Sequence, residues 1–303
     1  MPRSLTPVSK LFESQRLKLH YAEWGDQDAP ALILVHGGRD HCRNWDWVAR
    51  DLCGDWRIIA PDLRGHGDSD WCPSGIYTYD AYVWDLLALI EHLHIDQATI
   101  IGHSLGGNIA LRLAAAFPER LQRLVCIEGL GTSPGEVERT YSRSYSQRLR
   151  EDALYRLSLA QRPPHRYSSQ EQAIEHFHKR NPTLSRTQAE HLASHGLRRH
   201  GDGSFTWKFD DYSRKPSQLC ASESELRQLI AQVSCPVLLP GGGQSFFSLA
   251  ENQARIELFR DAEVKLYPTA GHWLHHDQLE QFLGDVKIFL SESRESHPLM
   301  SAW

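Results

Sequence analysis

Residues 98–107 read Ala98-Thr99-Ile100-Ile101-Gly102-His103-Ser104-Leu105-Gly106-Gly107. A short apolar run feeds into Gly-x-Ser-x-Gly, and small residues at helical spacing follow at once (Asn108, Ala110, Ala114, Ala115, Ala116). The pattern predicts a strand, a sharp turn and a helix, with Ser104 at the apex of the turn. Glycine on both sides removes the Cβ atoms that would clash with the neighbouring strand and helix. The serine hydroxyl is then expected above the sheet edge, at the start of a helix whose first N–H groups lack partners.

Outward from this turn the chain alternates strand and helix. Leu17–Trp24 alternates loosely and reads as an antiparallel edge strand. Residues 31–35 and 56–60 are apolar runs of the kind that form strands buried on both faces. Residues 45–52 and 79–93 carry helical periodicity, and 121–127 is the next strand. Such alternation implies parallel strands joined by crossovers. From about 131 to 232 the pattern changes to a polar stretch rich in Arg, Ser, Gln and Glu. Its helical periods lie at 141–159, 170–179 and 187–195, and 204–209 is a short extended piece. The alternation resumes with strands at 236–239 and 263–267, a helix at 252–259 and a closing amphipathic helix at 274–290. Residues 291–303 read as a frayed tail.

Composition bounds the function classes. The 303 residues are 41% hydrophobic and 23% charged, with a formal net charge of −5, an ordinary soluble profile. That balance gives no electrostatic reason for a nucleic-acid or anionic-membrane partner. The 17 histidines are scattered and form no spaced Cys/His array, so no metal is expected. The six cysteines form no C-x-x-C, and Cys126 and Cys235 sit in strand-like runs where buried thiols are the default. The first ten residues contain no apolar core of a signal peptide, and no run approaches the ~18 apolar residues of a membrane span. A cytoplasmic protein is the resulting expectation.

Three motifs follow successive buried strands: His36-Gly37-Gly38, the run from Pro61 to Ser69 (Pro-Asp-Leu-Arg-Gly-His-Gly-Asp-Ser), and Gly102-His103-Ser104-Leu105-Gly106-Gly107. With the late Gly271-His272, the chain resembles the α/β hydrolases over residues 15–130 and 233–290. The resemblance implies an α/β fold, a mostly parallel eight-stranded doubly wound sheet with an inserted helical cap. The core domain would be 1–130 and 233–303, and the cap 131–232.

The resemblance also implies roles. Ser104 would be the nucleophile, and His272 its base, in the loop after the last strand. His275 and His276 would lie on the surface of the following helix, and His103 would be a packing residue behind the turn. The oxyanion would be held by the N–H of Leu105 and that of Gly38, with Arg39 as the other possibility for the second donor. Asp62 and Arg64 would pin the loop behind the turn by charge-assisted hydrogen bonds. Asp68 receives no role.

The third member of the set departs from the common pattern. Most such chains carry an Asp after the strand matched by residues 236–241, but here the stretch is Gly242-Gly243-Gln244-Ser245. Neither Gln244 nor Ser245 supplies the negative charge that stabilises imidazolium. Glu128 ends the strand after the Ser104 helix. Parallel strands present their carboxyl ends on one rim, so Glu128 is expected beside Ser104 and the His272 loop. Some haloalkane-dehalogenase-like and serine-hydrolase-like members place their acid there. Asp277 reads as a first-turn acid of the closing helix.

A serine at position 104 favours acyl transfer over the alkyl transfer that needs a carboxylate there. The expected activity is a serine hydrolase cleaving a small-molecule carboxylic ester with water and no cofactor. A lactonase, thioesterase, carbon–carbon hydrolase or perhydrolase would share this mechanism. The reading from another class is a hydrolase-fold binding protein without turnover, suggested by Gln244.

Overall fold

The computed structural model describes residues 6–214 and 221–291. The tail read at 291–303 lies outside the described residues from 292 onward, as does Cys220. The chain enters its sheet through an antiparallel hairpin, β1 (Val8–Ser14) and β2 (Leu17–Trp24). Strand β2 is therefore the second strand and not the edge expected from its pattern. The signal for β1 was weak for two reasons. Its residue types do not follow its burial, with Leu11 59% exposed and Ser14 buried at 5%. Its turn, Gln15-Arg16, takes positive φ at both residues (49° and 67°) without the Asn or Gly that usually marks such a hairpin.

After the hairpin come β3 (Ala31–Val35), α1 (Asp46–Leu52), β4 (Arg57–Pro61), α2 (Tyr79–His92), β5 (Ala98–His103), α3 (Leu105–Ala116) and β6 (Leu121–Ile127). A stretch of helices follows: α4 (Pro134–Tyr141), α5 (Tyr145–Ala160), α6 (Gln170–Arg180) and α7 (Arg186–Gly196). It continues with the small hairpin β7 (Leu197–Arg199) and β8 (Phe205–Trp207), then α8 (Glu223–Gln232). The chain finishes with β9 (Val237–Gly242), α9 (Gln253–Ile256), β10 (Ala262–Tyr267), α10 (Leu274–Asp277) and α11 (Leu279–Ser291). Serine caps start α5, α6, α7 and α8, and in α5, α7 and α8 a Gln or Glu at N3 completes a capping box.

The eight-stranded sheet runs β1-β2-β4-β3-β5-β6-β9-β10. Strands β2 and β4 pair antiparallel, and every pair from β4 onward is parallel. Successive residues of the central strands feed opposite layers, as the two-residue period requires. Ile33, Ile100, Leu124 and Leu239 join the layer under α2 and α3; Leu32, Ile101, Val125 and Leu238 join the layer under α1 and α11. Helix α8 buries Leu226 and Ile230 in the first of these layers. Tyr167, Ile174, Ala193 and Leu197 form a separate small core among the elements between β6 and β9.

The closing helix expected at 274–290 is split. One turn, α10, ends at Asp277, whose carboxylate turns back to accept the Gly271 N–H at 2.8 Å, and α11 starts at Leu279. This split buries His275 and His276, at 0% and 6% exposure, in place of the surface positions expected. The single turn is tucked beneath the sheet rim, where Trp45 covers His275 and Trp47 covers His276. No helix among the described residues is long and apolar enough to cross a membrane.

Candidate active site

Strand β5 delivers Ser104 into a left-handed conformation (φ 53°, ψ −112°) that non-glycine residues rarely adopt. The turn closes because its flanking residues have no side chains. A Cβ on Gly102 would lie 2.6 Å from the Gly106 carbonyl oxygen, and one on Gly106 would lie 2.2 Å from that of Val35. The Ser104 N–H donates to the Ile127 carbonyl at 2.8 Å, which locks the turn to the end of β6. Helix α3 starts at the next residue, so its N-terminus faces the space beside the serine hydroxyl.

Glu128 follows β6 directly, and its backbone too is left-handed (φ 50°). Its side chain is wholly buried. Oε1 accepts the Gly242 N–H at 2.8 Å, and Oε2 accepts the Ser245 hydroxyl at 2.6 Å and the Nδ1–H of His272. The carboxylate sits 114 residues before Gly242, yet the parallel pairing of β6 with β9 brings the two strand ends together. Burial pushes Glu128 up to about 7, against the pull of the Ser245 and Gly242 hydrogen bonds. Burial pushes His272 down to about 4, assisted by the positive charge of Arg39. A neutral imidazole is thereby favoured, the form that accepts a proton.

The loop carrying His272 is held from two sides. His103 is buried, and its Nε2–H donates to the His272 carbonyl at 2.8 Å. Asp277 anchors the preceding glycine. The backbone of the β9 loop also joins it, with Gln244 N–H donating to the Ala270 carbonyl at 2.9 Å. The Gln244 residue itself is exposed. Ser245, which cannot supply the negative charge itself, donates to the carboxylate of Glu128. Nothing local in the sequence marks this role, since the contact spans two strands.

The opposite wall is the loop after β3. His36 is buried and bridges two strand ends, accepting the Leu63 N–H at 3.0 Å and donating from Nδ1 to the Gly37 carbonyl at 2.6 Å. Burial, with the neighbouring His66 charge, pushes it down to about 3, which keeps it neutral for this bridge. Gly37 leaves room for His103, whose Nδ1 would lie 2.8 Å from an added Cβ. Gly38 is different. A Cβ there would meet only the Leu105 side chain, at 3.9 Å, so packing does not require the glycine. Gly38 and Leu105 border the same cavity as Ser104, Glu128 and His272. That cavity measures about 940 Å³, the size range of small-molecule sites.

Behind the site, Asp62 accepts the His20 ring at 2.8 Å and the Cys42 and Asp68 N–H groups at 2.6 and 2.9 Å. Burial works against its charge, but these hydrogen bonds and the His20 charge outweigh it and hold the carboxylate well below its usual range. Arg64 makes a two-pronged pair with Asp85 at 2.5 and 2.6 Å. Asp68, unassigned from sequence, reaches Lys208 at 2.7 Å and so ties this loop to the segment after β8.

Two groups of ligand-type side chains occur among the described residues, His20/Cys42/Asp62 and Asp46/His191/His195. In each the carboxylate is already paired, with His20 in the first and with Arg43 at 2.7 and 2.6 Å in the second. Neither group borders Ser104. The five cysteines among the described residues are free, and burial pushes Cys126 and Cys235 up to about 12.

Comparison with known proteins places this geometry in a family. The model of the alpha/beta hydrolase fold matches residues 30–279. A serine hydrolase-like protein of Dictyostelium discoideum is 25% identical over 289 residues, covering 90% of this chain and 78% of that protein. An sn-1-specific diacylglycerol lipase of Mus musculus is 25% identical over 272 residues, covering 88% and 83%. The crystal structure of a hypothetical protein from Pseudomonas aeruginosa superposes with a TM-score of 0.81 at 28% identity, covering 95% of this chain and 100% of that one. The chain belongs to the α/β-hydrolase fold family.

Proposed function

We propose that this protein is a serine hydrolase that cleaves carboxylic esters through an acyl-enzyme on Ser104. The observation that carries the reading is the His272–Glu128 hydrogen bond on the rim of the cavity that also holds the strained Ser104. In this mechanism Ser104 Oγ adds to the ester carbonyl carbon while its proton passes to His272 Nε2. Glu128 orients the imidazole through Nδ1 and stabilises the imidazolium. The N–H groups of Leu105 and Gly38 face the developing oxyanion. The ester C–O bond then breaks, and His272 gives its proton to the departing alkoxide. Water adds to the acyl-enzyme by the same route in reverse, releasing the acid and regenerating Ser104.

The test is hydrolysis of short-chain aryl esters, together with labelling of Ser104 by a fluorophosphonate. Ser104→Ala is expected to lower kcat by at least ~10³-fold and to abolish the label. No turnover above the Ser104→Ala background across several chain lengths, with no label, would return the chain to the ligand-binding alternative.

A further inference from the structure

Three arginines from three separate segments border the cavity of Ser104 and His272: Arg39 in the loop after β3, Arg180 at the end of α6, and Arg214 in the turn Asp211–Arg214. All three keep access to solvent at the cavity's edge, and Arg39 is partly covered by the surrounding protein. Arg39 directly follows Gly38 and takes a left-handed backbone (φ 64°), a costly conformation for a long side chain. Among the described residues, no hydrogen bond or ion pair engages the side chain of Arg39 or Arg180. Arg214 is steadied by Asp211 at 2.5 Å and lies over the Phe209 ring, 4.9 Å from its centroid.

The arginines feel one another. Arg39 is pulled below its ordinary value by burial and then by the charges of Arg214 and Arg180. Two of the carboxylates on the cavity wall are engaged elsewhere. Glu128 is committed to His272, Ser245 and Gly242, and Asp40 to the His41 N–H and Asn44. Glu136 and Glu251 also line the cavity, on segments separate from those of the three arginines. Arg214 has Asp211 as its acid partner, whereas the Arg39 and Arg180 side chains have none among the described residues, and a bound anion relieves their repulsion.

The path from Arg180 and Arg214 toward the serine is aromatic. From Trp273, next to His272, ring contacts run to Phe177 at 6.2 Å, to Trp207 at 5.2 Å and to Phe209 at 6.4 Å, where Arg214 sits. Phe177 and Arg180 are three residues apart on α6 and share a face.

We propose that Arg39, Arg180 and Arg214 form an anion subsite, so that the substrate is an ester with an apolar or aromatic body and a carboxylate or phosphate at its far end. This rests on the serine-hydrolase reading of the same cavity. Guanidinium forks suit both oxyanions by two-pronged hydrogen bonding. The aromatic rings carry the body of the substrate, and its charge fixes which carbonyl stops at Ser104.

The test compares the p-nitrophenyl monoester of glutaric acid with p-nitrophenyl hexanoate, which differ chiefly in terminal charge. The wild type should favour the charged ester in kcat/KM by at least about tenfold at low salt. That preference should shrink toward parity at about 0.5 M salt, and in Arg39→Gln and Arg180→Gln. Arg180 lies at an exposed helix end, so Arg180→Gln tests the idea even if Arg39→Gln folds poorly, and the salt series needs no variant. Inhibition of hexanoate-ester hydrolysis by free glutarate and by inorganic phosphate distinguishes the two anions, since the tighter inhibitor identifies the preferred one. A wild type that hydrolyses the hexanoate ester, shows no preference for the charged one and is inhibited by neither anion overturns the subsite and leaves the serine-hydrolase reading standing. Turnover of neither ester, with Ser104 unlabelled, overturns the underlying reading instead.

Discussion

His272 donates its Nδ1–H to Glu128, a carboxylate at the end of β6, while the loop after β9 offers the carboxylate a backbone N–H from Gly242 and a hydroxyl from Ser245. In the proposed mechanism the loop after β9 supports the acid in place of providing it.

Glu128→Gln is therefore expected to keep the fold and lower kcat by about 10³–10⁴-fold, since an amide in that position presents the wrong partner to the imidazole. Gln244→Ala removes an exposed side chain and should change kcat/KM by no more than about twofold. Steady-state kinetics on an aryl ester checks both. A Glu128→Gln enzyme near wild type would show that the acid lies elsewhere.

Glycines 106 and 38 separate packing from chemistry. Gly106→Ala puts a methyl group 2.2 Å from the Val35 carbonyl oxygen and should destabilise the fold by about 3 kcal/mol or more. Gly38→Ala meets nothing closer than 3.9 Å and should leave the denaturation midpoint near wild type. If the Gly38 N–H faces the oxyanion, the same variant should still lose about tenfold or more in kcat, because the methyl group crowds the reacting carbonyl. Urea denaturation and kinetics on the two proteins read these effects independently.

His103 positions the loop of His272 without touching substrate in the proposed mechanism. His103→Phe fills the space but leaves the His272 carbonyl without its donor, and a fall in kcat of about tenfold with little change in KM is expected. His103→Gln retains an N–H donor and should recover part of the loss. Equal losses in the two variants would point to packing alone.

Acid should destabilise the protein through its buried histidines. Burial pushes His36 and His276 down to about 3 and His66 to about 4, so the folded chain keeps them neutral where the unfolded chain binds protons. Their contribution is full above pH 6.5 and is lost as pH falls from there toward the folded values. Each buried histidine costs on the order of 1–2 kcal/mol by pH 5. His276 has no hydrogen-bond partner at either ring nitrogen among the described residues, so His276→Phe should fold at least as well at neutral pH and lose less stability on acidification. Denaturation midpoints measured from pH 7 to 5 check this, and a variant with the unchanged pH slope would contradict it.

The buried strands were legible because Ile100-Ile101 and Val125-Cys126-Ile127 are continuous apolar runs, and a strand buried on both faces needs nothing else. Gly102 and Gly106 announced the turn because no other residue fits its sterics. Glu128 was legible as a carboxylate at a strand end, since parallel strands share one rim. Strand β1 was not, because a Gln15-Arg16 turn carries no local mark of the positive φ it adopts. The depth of His275 and His276 was hidden as well. A single helical turn has no periodicity to read, and its burial comes from Trp45 and Trp47, far away in the chain.

By itself the sequence determined the alternation of strand and helix, the strained serine at position 104 and the chain order of the residues around it. These rest on local sterics and hydrophobic period. The tertiary structure decided what holds Glu128, what anchors the His272 loop and where Arg39, Arg180 and Arg214 stand relative to Ser104. Those contacts join segments from different strands and from the helices between β6 and β9, and only the assembled fold sets their distances.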